Sequence, residues 1–144
     1  LSAIIYKRRY DRLEQYDAIS TNGNAPLASV LALCCLALIE RDSKRIRRLG
    51  EYYVEQLQSI PAEHSDRVAE VRGKGLLAGL KFRQVEDALD FHRRCLERGL
   101  WVRVHAYHEG HSTILTKLAL CADDRIVDFI VRSFSCILEE MRNG

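Results

Sequence analysis

The stretch 20-STNGNAPLAS-29 sets hydroxyls, carboxamides and a glycine directly before an apolar run from Val30 to Ile39. Ser20 and Thr21, beside open backbone N–H groups at a helix start, have the chemistry to bind a phosphate. The same residue types also build an ordinary capping loop, and residue chemistry alone leaves both readings open. His105, His108 and His111 recur every three residues and could gather on a divalent cation. They lie between two predicted strands, in a segment with Gly110 and with neither cysteine partners nor an H-E-x-x-H spacing. They are therefore read as solvent-facing loop histidines, and no metal is expected. Lys117, near a strand end, is on residue chemistry a solvated lysine. Asp123-Asp124 reads as a helix cap and Glu70 with Arg72 as flanks of a turn, with no chemistry assigned to either.

These residues are placed by a simple run of elements. LSAIIY at residues 1–6 reads as a buried strand, and Lys7 to Tyr16 as a helix or turn. Asn24 can cap a helix whose first turn holds Pro26. That helix is apolar on all sides to Ile39, so it is expected to be buried. After a break at residues 40–43, Ile46, Leu49, Tyr53, Leu57 and Ile60 recur at helical spacing until Pro61, which should end the helix. Residues 68–82, VAEVRGKGLLAGLKF, read as two strands reversing at Arg72-Gly73-Lys74-Gly75. Val85 to Arg98 reads as an amphipathic helix with Ala88, Leu89, Phe91, Cys95 and Leu96 inward and Gly99 just past its end. Strands are expected at 100–104 and 114–120. A final helix, capped by Asp123 or Asp124, should bury Ile126, Ile130, Phe134, Ile137, Leu138 and Met141. Tyr52, Tyr53 and Trp101 are expected in or near the core. The fold class is α+β: a small mixed sheet covered by helices, with a long buried N-terminal helix.

Composition bounds the function. With 47% hydrophobic and 29% charged residues the chain is globular, and at 144 residues it is the size of one domain. A net charge of +2 gives no reason to expect nucleic acid. The basic clusters Lys7-Arg8-Arg9 and Lys44 to Arg48 read as solvated helix faces. The five cysteines form no C-x-x-C pair, and their number is odd, which suits a reducing compartment. The run from Leu27 to Ile39 is shorter than the roughly 20 residues that cross a bilayer. A cytoplasmic protein without membrane partners is expected. The first residue is Leu1 and the only methionine is Met141, so the chain is expected to be part of something longer.

Taken in order, STNGNAPLA, the apolar helix, RIRRLGEYYVEQL, VAEVRGKGLLAGLKF, ERGLWVR and the terminal helix resemble the C-terminal part of class III aminotransferases. These are fold type I pyridoxal-phosphate enzymes of the ornithine, acetylornithine and 4-aminobutyrate type. The resemblance covers essentially the whole chain, and VRGKGLLAGLKF is its most specific piece. It implies a parent enzyme that moves an amino group from an amino acid or ω-amine to a 2-oxo acid. It further implies that residues 1–25 end the large cofactor domain and carry the phosphate loop. Residues 26–144 would be the C-terminal small domain with its linking helix.

In that family the loop usually reads S-T-F-G-G-N-P-L-A, and its threonine helps hold the cofactor phosphate of the neighbouring subunit. Ser20, Thr21, Pro26, Leu27 and Ala28 match, while Asn22, Asn24 and Ala25 depart. The resemblance thus assigns Ser20 and Thr21 to pyridoxal phosphate and implies a homodimer. The lysine that carries the cofactor as a Schiff base is implied to lie before the residues matching LSAIIY. No catalytic residue is assigned in this chain, and alone it is expected to be inactive. Lys117 falls where the family places an arginine for the substrate carboxylate, in a segment resembling L-R-L-x-P-P-L whose two prolines are missing here. Lysine offers a point charge in place of the bidentate fork. The alternative, from another class, is a self-standing, non-catalytic binding or assembly module of the same fold.

Overall fold

A computed structural model describes residues 7–10, 12, 14, 25–106 and 111–143. The chain divides into two compact units, Leu1–Asp42 and Ser43–Gly144. In the first, Arg8–Tyr10 form a 3-10 turn and α1 runs over Pro26–Arg41. Pro26 sits in the first helical turn, where its missing N–H would have no intrahelical acceptor anyway. The cap position is Ala25, not Asn24, and it makes no side-chain cap bond. The expected burial of this helix is overturned. None of its residues is buried, and Leu27, Leu33 and Leu36 are 73%, 67% and 62% exposed. Apolarity on all sides states what a helix needs to have covered, and the described residues of this unit supply no layer to cover it. Cys34 and Cys35 are exposed with it. The expected strand LSAIIY lies outside the described residues.

The second unit holds α2 (Ser43–Glu63), β1 (Val68–Lys74), β2 (Leu77–Phe82), α3 (Val85–Glu97), β3 (Arg103–His105), β4 (Thr113–Lys117) and α4 (Asp124–Asn143). It is α+β, as expected. The four strands are ordered β1-β2-β4-β3, and every pairing is antiparallel. The reversal between β1 and β2 falls at Gly75-Leu76, two residues beyond the expected turn, because Gly73 and Lys74 still pair with Ala78 and Leu77. The next two strands are shorter than expected and shifted to 103–105 and 113–117.

One side of the sheet carries the core. Val71, Leu80, Ile114 and Val104 form one row across the four strands, and Gly73, Ala78 and Thr116 form the next. Against these rows α2 places Leu49, Tyr53, Leu57 and Ile60, all fully buried. The rings of Phe82 and Phe91 lie 5.1 Å apart and those of Phe91 and Phe134 5.2 Å apart, so three aromatics join β2, α3 and α4.

The departures from expectation have local causes. Pro61 does not end α2. It removes one N–H, yet His64 N–H still donates to the Ile60 carbonyl at 2.9 Å, so the last turn survives to Glu63. On α3 only the narrow stripe of Ala88, Phe91 and Cys95 is covered, and Leu89 and Leu96 are exposed. Gly99 sits past its end with φ +74°, and Gly99 and Leu100 donate to the Leu96 and Cys95 carbonyls at 2.9 and 2.8 Å. On α4 the first buried positions are Val127 and Val131, one residue later than expected. Tyr52 of α2 donates to Asp128 at 2.6 Å and turns that side of α4 toward α2. Trp101 is 89% exposed, against the expectation of a core position, since it precedes β3 and no strand row holds it.

Candidate functional site

Lys117 is the one candidate site residue that falls among the described residues. Its position follows from the alternation of β4. Ile114 and Thr116 are buried against the helices, so Lys117 points to the opposite, open side. The strand end is pinned on its buried side. The Thr116 hydroxyl donates to the Ala78 carbonyl at 2.7 Å, so the Tyr53 hydroxyl must be the donor in its short contact with Thr116. Burial pushes the Tyr53 phenol up to about 12. Lys117 pairs with Leu77, and the next N–H, of Leu118, donates to the Leu76 carbonyl at 2.9 Å. The ammonium has no carboxylate partner among the described residues. An exposed cation on a fixed strand end suits a mobile anionic ligand.

Arg72, Thr113 and Leu115, on the same open side, line a cavity of about 260 Å³ together with His105 and His111. His108 lies outside the described residues, and among those described no group of His, Cys, Asp or Glu is arranged to hold a metal. Arg72 and Glu70 do interact, at 2.7 Å, as an exposed ion pair. Asp123 takes the capping role, accepting from Ile126 N–H at 3.1 Å. Ser20 and Thr21 lie outside the described residues. At the described end of their loop, Ala25 offers no side-chain acceptor to the first turn of α1.

The reading of Lys44 to Arg48 as a solvated face missed two structural arginines. Arg45 donates to the Leu120 carbonyl at 2.6 Å and to the Ala122 carbonyl at 3.0 Å, and Arg48 pairs with Asp124 at 2.8 Å. These partners lie 75 to 77 residues away in sequence, so no local pattern could reveal them. Together they tie the start of α2 to the loop after β4 and to the first residue of α4. Arg45→Ala is expected to lower stability by about 1–2 kcal/mol, because two carbonyls lose a charged donor. Thermal unfolding beside Lys44→Ala, which should be neutral, checks this.

This antiparallel sheet with helices on one side finds its counterpart among known proteins. The class-III aminotransferase family model matches residues 2–138, and the chain belongs to that family. It is 36% identical to the acetylornithine aminotransferase of Archaeoglobus fulgidus over 94 residues, and 33% identical to the ornithine aminotransferase of Staphylococcus carnosus over 98 residues. These alignments cover 64% and 67% of this chain but only 22% of each relative. Among solved structures, a Bacillus anthracis aminotransferase superposes with a TM-score of 0.75 at 25% identity, covering 87% of this chain and 30% of that one. A transaminase from the marine bacterium Virgibacillus shares the fold with a TM-score of 0.78 at 19% identity, covering 90% of this chain and 32% of that one. No helix among the described residues is long and apolar enough to cross a membrane.

Proposed function

We propose that this chain is the C-terminal portion of a pyridoxal-phosphate-dependent aminotransferase that moves an amino group from an amino acid or ω-amine to a 2-oxo acid. The observation that carries this reading is the family match over residues 2–138. Pyridoxal phosphate, when bound, supplies the electron sink for the transfer. The chain's own parts would bind and orient. Residues 1–25 would close the cofactor domain, with Ser20 and Thr21 donating to a cofactor phosphate held by the partner in a homodimer. Residues 26–144 would form the small domain, with Lys117 meeting the substrate carboxylate as a point charge. The cofactor-anchoring lysine is not assigned within these residues, so the chain alone should be inert in the cytoplasm-like conditions where the parent works.

The test is amino transfer by the full-length parent loaded with cofactor, across a panel of amino acids and ω-amines with a 2-oxo acid acceptor. Transfer by the parent and none by these 144 residues is the expected result. A parent that transfers from no member of the panel would overturn the reading. Within the parent, Lys117→Ala should lower kcat/KM by about tenfold to a hundredfold, mostly through KM, from loss of one charged contact. Lys117→Arg should retain or improve it, because the fork can grip a carboxylate twice. An unchanged KM in Lys117→Ala removes Lys117 from the substrate site.

A further inference from the structure

The strand that carries Lys117 is supported unequally along its length. β4 pairs with β3 only from Thr113 to Leu115, whereas its pairing with β2 continues to Lys117. Among the described strands, Thr116 and Lys117 therefore have a neighbour on one side alone. A strand end held by one ladder opens more readily than one held by two. Two further ties act at this end. The Thr116 hydroxyl bonds the Ala78 carbonyl at 2.7 Å, and the Tyr53 hydroxyl donates to Thr116 from α2.

A phenol at position 53 calls for a reason. Phenylalanine would fill the same core position without a hydroxyl to take out of water. Tyr53 and Ala78 are fully buried and Thr116 is 9% exposed, so water hardly competes for these bonds. The hydroxyl of Tyr53 reaches 63 residues along the chain to the residue directly before Lys117. Thr116 and Lys117 leave the strand on opposite sides, so holding the Thr116 side chain toward α2 fixes the backbone that projects Lys117 to the open side. A lysine stem is flexible at its tip, and the protein can set only where it starts. The same helix also holds the loop that follows, through Arg45 and the Leu120 and Ala122 carbonyls.

We propose that Tyr53 is a positioning residue for recognition of the substrate carboxylate: acting through Thr116, it holds the end of β4 so that Lys117 meets the carboxylate of an amino-acid donor. This rests on the reading of Lys117 as a substrate-site residue. It goes beyond that reading by assigning part of the donor's KM to a hydroxyl buried on the helix side of the sheet.

The experiment uses the full-length, cofactor-loaded parent and an amino-acid donor that it accepts. Tyr53→Phe keeps the ring and removes only the hydroxyl. It should raise KM for that donor about threefold to tenfold and leave kcat within about twofold, since the reacting groups are untouched. In a Lys117→Ala background the same change should add nothing to KM, because the residue it acts through is gone. Thr116→Val breaks the link from the strand's side and should reproduce the rise in KM, whereas Thr116→Ser keeps the hydroxyl and should keep the parent's KM. A purely structural role would lower the thermal unfolding midpoint and add its effect to that of Lys117→Ala instead of being absorbed by it. An unchanged KM in folded Tyr53→Phe or Thr116→Val, or a rise that persists in full in the Lys117→Ala background, would overturn the proposal. The two readings fail separately. An unchanged KM in Lys117→Ala alone removes Lys117 from the substrate site and this inference with it, while a raised KM there beside an unchanged one in Tyr53→Phe overturns this inference only.

Discussion

Replacing Gly79 with alanine is expected to remove most or all of the stability of the Ser43–Gly144 unit. A Cβ at this position would overlap the Ile114 carbonyl oxygen and stand 2.9 Å from both the Ile114 carbonyl carbon and the Leu115 Cα. These are backbone atoms of the neighbouring strand, so no rotamer change can make room. The two strands would have to part, and β2 is the strand that joins β1 to β4 and β3. Losing its pairing separates Ala78, Leu80 and Phe82 from Ile114 and Thr116, all of them buried. A loss above about 4 kcal/mol is expected, against a typical total of about 5–15 kcal/mol for such a domain. Gly99 is the comparison. Its φ is +74° but nothing lies within 4 Å of a Cβ there, so Gly99→Ala should cost only about 1 kcal/mol of backbone strain. Urea unfolding of the two variants beside the parent chain decides the matter. A Gly79→Ala protein that unfolds at the parent's midpoint would contradict the close approach of β2 and β4.

This glycine also shows where sequence legibility ends. VRGKGLLAGLKF could be read as two strands, and it was the most specific piece of the family resemblance. Which of its glycines serves a turn and which a strand contact depends on β4, more than thirty residues away in the register. Periodicity located every helix of the second unit, since a stripe of Leu49, Tyr53, Leu57 and Ile60 has few other uses. It placed α4's early stripe one residue off, because Tyr52 and Asp128 set that rotation, and their bond is invisible to periodicity. The apolar α1 was legible as a helix but not as an exposed one. Cover is a property of what surrounds a helix, and a sequence pattern records only the demand. The site divides in the same way. The identity of Lys117 was visible as a candidate, whereas the Tyr53–Thr116–Ala78 chain that pins its strand end was not.

Stability is expected to fall steeply above about pH 9, and the cause lies in two buried acids. Burial pushes the Cys95 thiol from 9.0 up to about 12, with Arg98 opposing part of the rise, and raises the Tyr53 phenol from 10.0 to about 12. Both side chains are 0% exposed. Between pH 9 and 12 the unfolded chain therefore releases the Cys95 proton while the folded chain keeps it. The folded state binds more protons, so unfolding becomes more favourable as pH rises. Below pH 9 the contribution of Cys95 is fully present, and it is lost as pH climbs toward 12. From pH 10 Tyr53 adds a second proton in the same sense. Tyr52, raised by its hydrogen bond to Asp128 and by burial, acts in that direction too. At about 1.4 kcal/mol per pH unit per proton, Cys95 and Tyr53 each cost a few kcal/mol across their windows. The check is the urea midpoint followed from about pH 8 to about pH 11. The parent's decline should begin near pH 9 and steepen past pH 10. Cys95→Ala should lower stability at neutral pH, through the small cavity it leaves, yet hold a flat midpoint until pH 10. If its midpoint instead falls from pH 9 as the parent's does, the thiol is not the group responsible, and the burial of Cys95 between the sheet and α4 would have to be drawn differently.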